Sequence, residues 1–180
     1  QGGVVLWCHN AQGMEAPVAA ILGRLDGINL FDPWWMDPEY EVWYRLLNCG
    51  VRLPASTGSD WYLCSSNRVY TAVDGEFSYE RWLESLRAGK TFITNGPILR
   101  MTVVGHAPSN DLLDLSGLTG TAEVTVSWEG TQPVDRIEIV RDGAVAHVHE
   151  NADEAISGRV TVQLDVAEAG WVAARAYGSR

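Results

Sequence analysis

Short apolar runs alternate with amphipathic segments over the first third of the chain. Residues 4–8 form a continuous apolar run, which is typical of a strand buried on both faces, and residues 25–31 and 51–57 are predicted as two further strands. Between these strands, residues 15–22 and 37–50 carry apolar side chains at helical spacing. The order strand–helix–strand–helix–strand predicts parallel strands joined by right-handed crossovers.

The middle of the chain adds a further strand, helix and strand, over residues 68–73, 78–88 and 91–94. Ser78 suits the N-cap of this helix because its hydroxyl can accept a hydrogen bond from the first turn. The sequence Asn95-Gly96-Pro97 predicts a turn, and we expect a domain boundary close to it.

After this turn, segments of strand length follow one another without a convincing helix. Several alternate apolar and polar residues with period two, and Asp142-Gly143 between two of them is a strong hairpin signal. The sequence therefore predicts an α+β chain in two parts: part of a parallel β/α barrel over residues 1–97, then an antiparallel β-sandwich over residues 98–180. The predicted strands of the second part are residues 99–104, 121–128, 134–141, 144–149, 160–166 and 171–177.

The charge and the cysteines exclude several classes of protein. The net charge is -10 and the pI about 4.7, and no basic stripe is present, so neither a nucleic acid nor an anionic membrane is expected as a partner. No apolar run reaches the roughly 20 residues that span a membrane. The three cysteines form no C-x-x-C pair, and since each flanks an apolar run, we expect buried, reduced thiols.

Polar residues follow each of the three predicted parallel strands. His9 follows the first strand, Asn29 and Asp32 end the second, and Asp60 follows the third. The carboxyl ends of parallel strands meet at one edge of a sheet, so these side chains are expected to lie close together. One histidine and two carboxylates suit a divalent metal that activates water.

Each of these residues also has a simpler interpretation. His9 can equally be interpreted as a core histidine bonded to the backbone. Asp60 can be interpreted as a cap on the following loop. Asp32 precedes a proline, which is typical of a residue in a turn. The Asn29 amide can instead form hydrogen bonds with backbone groups alone. Their convergence on one edge is what favours the site.

Four aromatic residues, Trp34, Trp35, Trp61 and Tyr62, lie in the loops after the second and third strands. They either line a pocket for an apolar or aromatic substrate or cover the end of the sheet, and the sequence leaves both interpretations open. His147 and His149 are two residues apart in a predicted strand and therefore share a face. With no third ligand beside them in the sequence, we expect a solvated strand face there.

Specific runs in the chain carry a family resemblance. The residues Trp43–Ala55, Thr57–Asp60, Leu86–Pro97 and Pro133–Val140 resemble the CehA/McbA-type metallohydrolases of the polymerase-and-histidinol-phosphatase superfamily. The resemblance extends from Gly2 almost to the end of the chain.

The resemblance implies a seven-stranded β/α barrel that holds two or three metal ions, typically zinc, manganese or iron. Members hydrolyse phosphoesters, and the carbaryl hydrolase among them cleaves a carbamate ester. The family's Ala-His-Pro step corresponds to Cys8-His9-Asn10, which makes His9 a metal ligand. Its Gly-Ser-Asp-x-His step corresponds to residues 58–62, which makes Asp60 a second ligand and leaves Tyr62 where many members have histidine.

Three hypotheses of function follow from the sequence. The first is that the chain is the C-terminal portion of a metal-dependent hydrolase of small-molecule esters, truncated at both ends. The other ligands would lie upstream, and metal-activated water would be the nucleophile in the parent protein, whereas the chain alone is expected to be inactive and need not bind a metal. The second is a non-catalytic binding module whose β-sandwich contacts carbohydrate or protein. The third is a structural segment that forms a homodimer through an exposed strand edge.

Overall fold

The computed structural model of the chain describes residues 3–9, 15–30, 36–58, 66–104 and 120–178. The chain divides into two compact units, a first unit of residues 1–95 and a second unit of residues 96–180. The structure is 43% strand and 18% helix. Most of the strand residues belong to the second unit, whereas the three helices of the described residues lie in the first.

The first unit begins with two helices placed between three very short parallel strands. The strands form one sheet in the order β1-β2-β3, and its register places Trp7 opposite Ile28 and Asn29 opposite Ser56. Two residue pairs join each pair of strands. The elements are β1 (Leu6–Trp7), α1 (Glu15–Ile21), β2 (Gly27–Asn29), α2 (Met36–Asn48) and β3 (Ala55–Ser56).

A second, antiparallel pair of strands completes the first unit. Strands β4 (Arg68–Thr71) and β5 (Thr91–Thr94) pair with each other on either side of α3 (Tyr79–Arg87). The predicted cap is confirmed, because the Arg81 amide donates to the Ser78 hydroxyl over 3.2 Å. The Thr91 hydroxyl donates to the Ala55 carbonyl over 2.9 Å and so connects β5 to β3.

Apolar residues from the helices and the parallel strands share the core of the first unit. Ile28 and Leu30 are almost fully buried, and the indole N–H of Trp43 donates to the Leu53 carbonyl over 2.9 Å. These contacts hold α2 on the sheet, so the core fixes the position of the strand ends. The buried members of this core are Ala20, Ile28, Leu30, Leu46, Leu53 and Ala55.

The second unit contains two three-stranded antiparallel sheets, with strand orders β10-β7-β6 and β11-β8-β9. Buried residues from both sheets, among them Val126, Trp128 and Ile137, belong to one hydrophobic core. The hairpin signal is confirmed: Asp142 and Gly143 both have positive φ, 51° and 89°, as a type I′ turn requires. The strands are β6 (Ile98–Val103), β7 (Thr121–Glu129), β8 (Val134–Arg141), β9 (Ala144–Glu150), β10 (Ser157–Asp165) and β11 (Val172–Gly178).

The predicted fold, part of a parallel β/α barrel followed by a β-sandwich, is wrong. Parallel pairing is confined to the few residues of β1, β2 and β3, and the remaining strands of the described residues pair antiparallel in small sheets. The strands of a barrel pair with their neighbours along their full length. Strands of two or three residues are too short to do so. The structure is mostly β, with three short helices in its described part.

The environment of the cysteines also differs from the expectation. Cys8 and Cys49 are free thiols, as predicted, but both are exposed where burial was expected. Each follows the last residue of its assigned strand or helix, and Cys64 lies outside the described residues. No helix in the described part of the chain combines the length and apolar character needed to cross a membrane.

Candidate functional site

The carboxyl ends of β1, β2 and β3 lie at one edge of the parallel sheet. His9 is two residues beyond β1, and Asn29 is the last residue of β2. The ladder continues past the assigned strands, since the Leu30 amide donates to the Ser56 carbonyl over 2.8 Å. This register brings the segment of His9 and the side chain of Asn29 to the same edge, as parallel pairing requires.

His9 has an unusual backbone conformation at this edge. Its φ is 53°, in the left-handed region that few residues other than glycine adopt, although histidine is among the more tolerant. Such a conformation costs on the order of 1 kcal/mol and is found preferentially at functional sites. The exposed thiol of Cys8 precedes it directly.

Two hydroxyl residues that sequence reasoning missed belong to the same edge. Ser56 lies opposite Asn29 in the parallel register and is 2% exposed, and Thr57 follows it and is 8% exposed. The Thr57 hydroxyl makes no hydrogen bond within the described part of the chain. A buried hydroxyl normally has a partner, so the Thr57 hydroxyl is an unsatisfied polar group next to this edge. The signal that identifies both residues is their position just before the Gly58-Ser59-Asp60 step.

Six of the predicted site residues fall outside the described ranges. These are the metal-ligand candidate Asp60 and the candidate substrate-binding residues Asp32, Trp34, Trp35, Trp61 and Tyr62. Of the predicted set, His9 and Asn29 are therefore the two that the structure brings to one edge.

Among the groups described at this edge, the His9 imidazole is an appropriate ligand for a borderline divalent metal. Within residues 3–9, 15–30, 36–58, 66–104 and 120–178, no group of three or more His, Cys, Asp or Glu side chains could hold a metal ion. A zinc site takes at least three protein ligands, so His9 would need ligands beyond these residues.

His147 and His149 do not form the solvated strand face that their spacing suggested. They pair with Ile139 and Ile137 of β8, two residues of the hydrophobic core, and both histidines are half-buried. The His149 ring lies 5.6 Å from the Trp128 ring, centroid to centroid. The pair therefore packs at the margin of the core.

A charged cluster on the second unit is a structural feature that the sequence did not reveal. Glu138, which is 6% exposed, accepts hydrogen bonds from Arg136 over 2.8 Å and from Arg175 over 2.7 Å. The Arg136 guanidinium also lies 3.9 Å above the Tyr177 ring. Burial raises the pKa of Glu138, but the hydrogen bonds from the two arginines outweigh it and hold this pKa below its ordinary value.

Comparisons of the chain with protein-family models, with curated proteins and with solved structures found no match.

Proposed function

We propose that this chain carries part of the site of a metal-dependent hydrolase that cleaves ester bonds, either phosphoesters or carbamate esters. The observation that carries the proposal is the arrangement at the carboxyl edge of the parallel sheet. There His9, in a left-handed conformation, follows β1, and the buried Thr57 hydroxyl without a partner among the described residues follows β3. The sequence runs around residues 43–60 and 86–97, which resemble the CehA/McbA-type metallohydrolases, support the same chemistry.

The proposal gives each residue of the edge a distinct role. His9 and Asp60 would hold the metal through an imidazole nitrogen and a carboxylate, and Asn29 or Asp32 would orient the substrate or a water by hydrogen bonds. The four aromatic residues Trp34, Trp35, Trp61 and Tyr62 would contact the apolar part of an ester substrate. A divalent metal, when bound, supplies an activated water as the nucleophile.

Replacing His9 by alanine is expected to weaken divalent-metal binding by the intact chain by roughly 100-fold, because the imidazole would be one of very few ligands. Equilibrium dialysis against Zn²⁺ and Mn²⁺, with the metal bound per chain measured by elemental analysis, tests this. Asp60→Asn should give a loss of similar size. His147→Ala is the matched control, since it removes a histidine from the second unit and should leave metal binding within about twofold.

Two results would contradict the proposal. One is stoichiometric metal binding that survives both His9→Ala and Asp60→Asn. The other is the absence of metal binding by a chain whose fold is intact by circular dichroism. Either result would favour a non-catalytic binding or structural role, in which the strand ends serve only the fold. The predicted homodimer through the β1 edge stays a prediction, which light scattering on the same samples checks.

A further inference from the structure

Two arginines face each other across a serine on the sheet β10-β7-β6. The register of this sheet pairs Arg100 of β6 with Ser127 of β7, and Ser127 with Arg159 of β10. Residues directly opposite one another in antiparallel strands project from the same face. The core residues Val124, Val126 and Trp128 alternate with Ser127 along β7, so the Arg100–Ser127–Arg159 row lies on the face away from the core.

These two arginines differ from the other arginines described in the second unit. Arg136 and Arg175 pair with Glu138, and Arg141 lies 3.4 Å from an Asp142 carboxylate oxygen. Within the described residues, Arg100 and Arg159 form no ion pair and no side-chain hydrogen bond. In a chain of net charge -10, two adjacent cations without acidic partners are a specific local feature.

The row lines a concave region with a volume of about 570 Å³. Ser157 and Glu129 contribute polar groups to it, and Ile98 and Ile156 contribute apolar surface. This volume lies within the range of about 300–1,000 Å³ that holds small-molecule ligands. The region therefore has room for a small ligand with one charged end and an apolar part.

We propose that the Arg100–Ser127–Arg159 row binds an oxyanion, specifically the phosphate or sulfate group of a small molecule. The Cα atoms of the two arginines are separated by two strand spacings of about 4.8 Å, roughly 10 Å in all. Both guanidinium groups can reach a single tetrahedral anion above Ser127, whose hydroxyl adds a third donor. Guanidinium groups bind such anions through paired hydrogen bonds.

The number of cations limits the class of ligand. A nucleic acid or an anionic membrane is held by many phosphate contacts spread over a basic surface, whereas this face offers two arginines. Glu129 lies in the neighbouring row, opposite Ile98 and Ser157, and its carboxylate repels a second negative group. The row therefore suits one oxyanion on a small ligand. This site is in the second unit and does not depend on the proposed metal site.

The proposal is tested by titrating the intact chain with inorganic phosphate and, separately, with sulfate. Binding is followed by ¹H–¹⁵N NMR at constant ionic strength, with chloride as the reference anion. The Nε–H signals of Arg100 and Arg159 and the amide signal of Ser127 should shift together. Arg100→Ala and Arg159→Ala should each weaken the apparent affinity about tenfold, the size expected for one charged hydrogen-bonding partner. Glu129→Gln should strengthen binding several-fold.

The control is Arg52→Ala, which removes an exposed arginine of the first unit at the same cost in net charge and should leave the affinity unchanged. Comparison of inorganic phosphate with phenyl phosphate and phenyl sulfate distinguishes a free anion from an ester with an apolar part. Tighter binding of the phenyl compounds supports a role for Ile98 and Ile156. The proposal is overturned if phosphate and sulfate shift no signal of this face, or if Arg52→Ala weakens binding as much as Arg100→Ala.

Discussion

Replacing Trp128 by alanine is expected to destabilise the second unit by about 3–5 kcal/mol, the cost of removing a large aromatic side chain from a packed core. Trp128 is 4% exposed and lies among buried valines of β7. Its indole N–H donates to the Ala155 carbonyl over 3.3 Å, and its ring contacts that of His149. Hydrogen exchange of the β7 and β8 amides, followed in denaturant, reports the stability of this unit separately.

Gly158 provides a sharper test of the same packing. The register places Gly158 opposite Trp128, and a Cβ at position 158 would lie 2.9 Å from Cε2 of the indole and closer still to Cζ2. Gly158→Ala should therefore cost about 1–3 kcal/mol by overpacking, although alanine is otherwise the better residue within a strand.

The two changes should be strongly coupled. In a Trp128→Ala background, Gly158→Ala should cost close to nothing, because the ring that it would meet is gone. Ser157→Ala, next to Gly158 but exposed, is the control and should change the stability by less than about 0.5 kcal/mol. An equal cost of Gly158→Ala in both backgrounds would show that the ring does not lie over this position.

Replacing Glu138 by glutamine is expected to destabilise the second unit by about 2–3 kcal/mol, because two arginines would lose the carboxylate that they share. Glu138 lies opposite Arg175 in the register, and Arg136 precedes it by two residues on the same face of β8. Glutamine keeps the size of the side chain but removes its charge and replaces one of the two accepting oxygens by an amide nitrogen, which can only donate, so the effect combines the lost charge with one lost hydrogen bond.

The dependence on pH provides a second measurement of the Glu138 cluster. The pKa of Glu138 is lower in the folded chain than its ordinary value of 4.5. The stabilisation from its charge is therefore complete above about pH 4.5 and is lost as the pH falls through the lower, folded-state pKa. The wild-type chain should lose stability more steeply than Glu138→Gln below pH 4.5. Glu123→Gln, an exposed carboxylate of β7, should keep the wild-type slope, and equal slopes in all three would contradict the account.

The sequence located the local elements well. Each predicted strand and helix corresponds to an element of the structure, from β1 to β11, and the Ser78 cap and the Asp142-Gly143 turn are confirmed. These features depend on side chains close together in the sequence: a capping hydroxyl, a pair that accepts positive φ, or an apolar period.

The architecture could not be predicted from the same signals. The order strand, helix, strand in residues 68–94 fits a parallel crossover, yet β4 and β5 pair antiparallel around α3. Strand length was overestimated for the same reason, since the apolar run of residues 4–8 contains only two ladder residues, Leu6 and Trp7. Direction and extent of pairing depend on contacts distant in sequence, which the local pattern does not contain.

The candidate sites show the same difference between signals that are local in the sequence and contacts between residues far apart in it. His9 and Asn29 were found because residues at the ends of parallel strands can be counted from the sequence. Ser56 was missed, although it lies just before the Gly58-Ser59-Asp60 step, because the sequence does not show its pairing with Asn29. The Arg100–Ser127–Arg159 row was missed because its members are far apart in the chain. His147 and His149 were assigned to a solvated face because the sequence does not show that β9 pairs with core residues of β8.

The most direct test of the metal proposal is to observe the His9 imidazole during a zinc titration. Long-range ¹H–¹⁵N spectra of the intact chain, recorded in a Cys8→Ser background to remove the neighbouring thiol, resolve the two ring nitrogens of each histidine. We expect the signal of one His9 nitrogen to shift to a metal-bound position at stoichiometric zinc, while His147 and His149 keep their signals. A His9 ring that does not respond while zinc binds elsewhere on the chain would contradict the account.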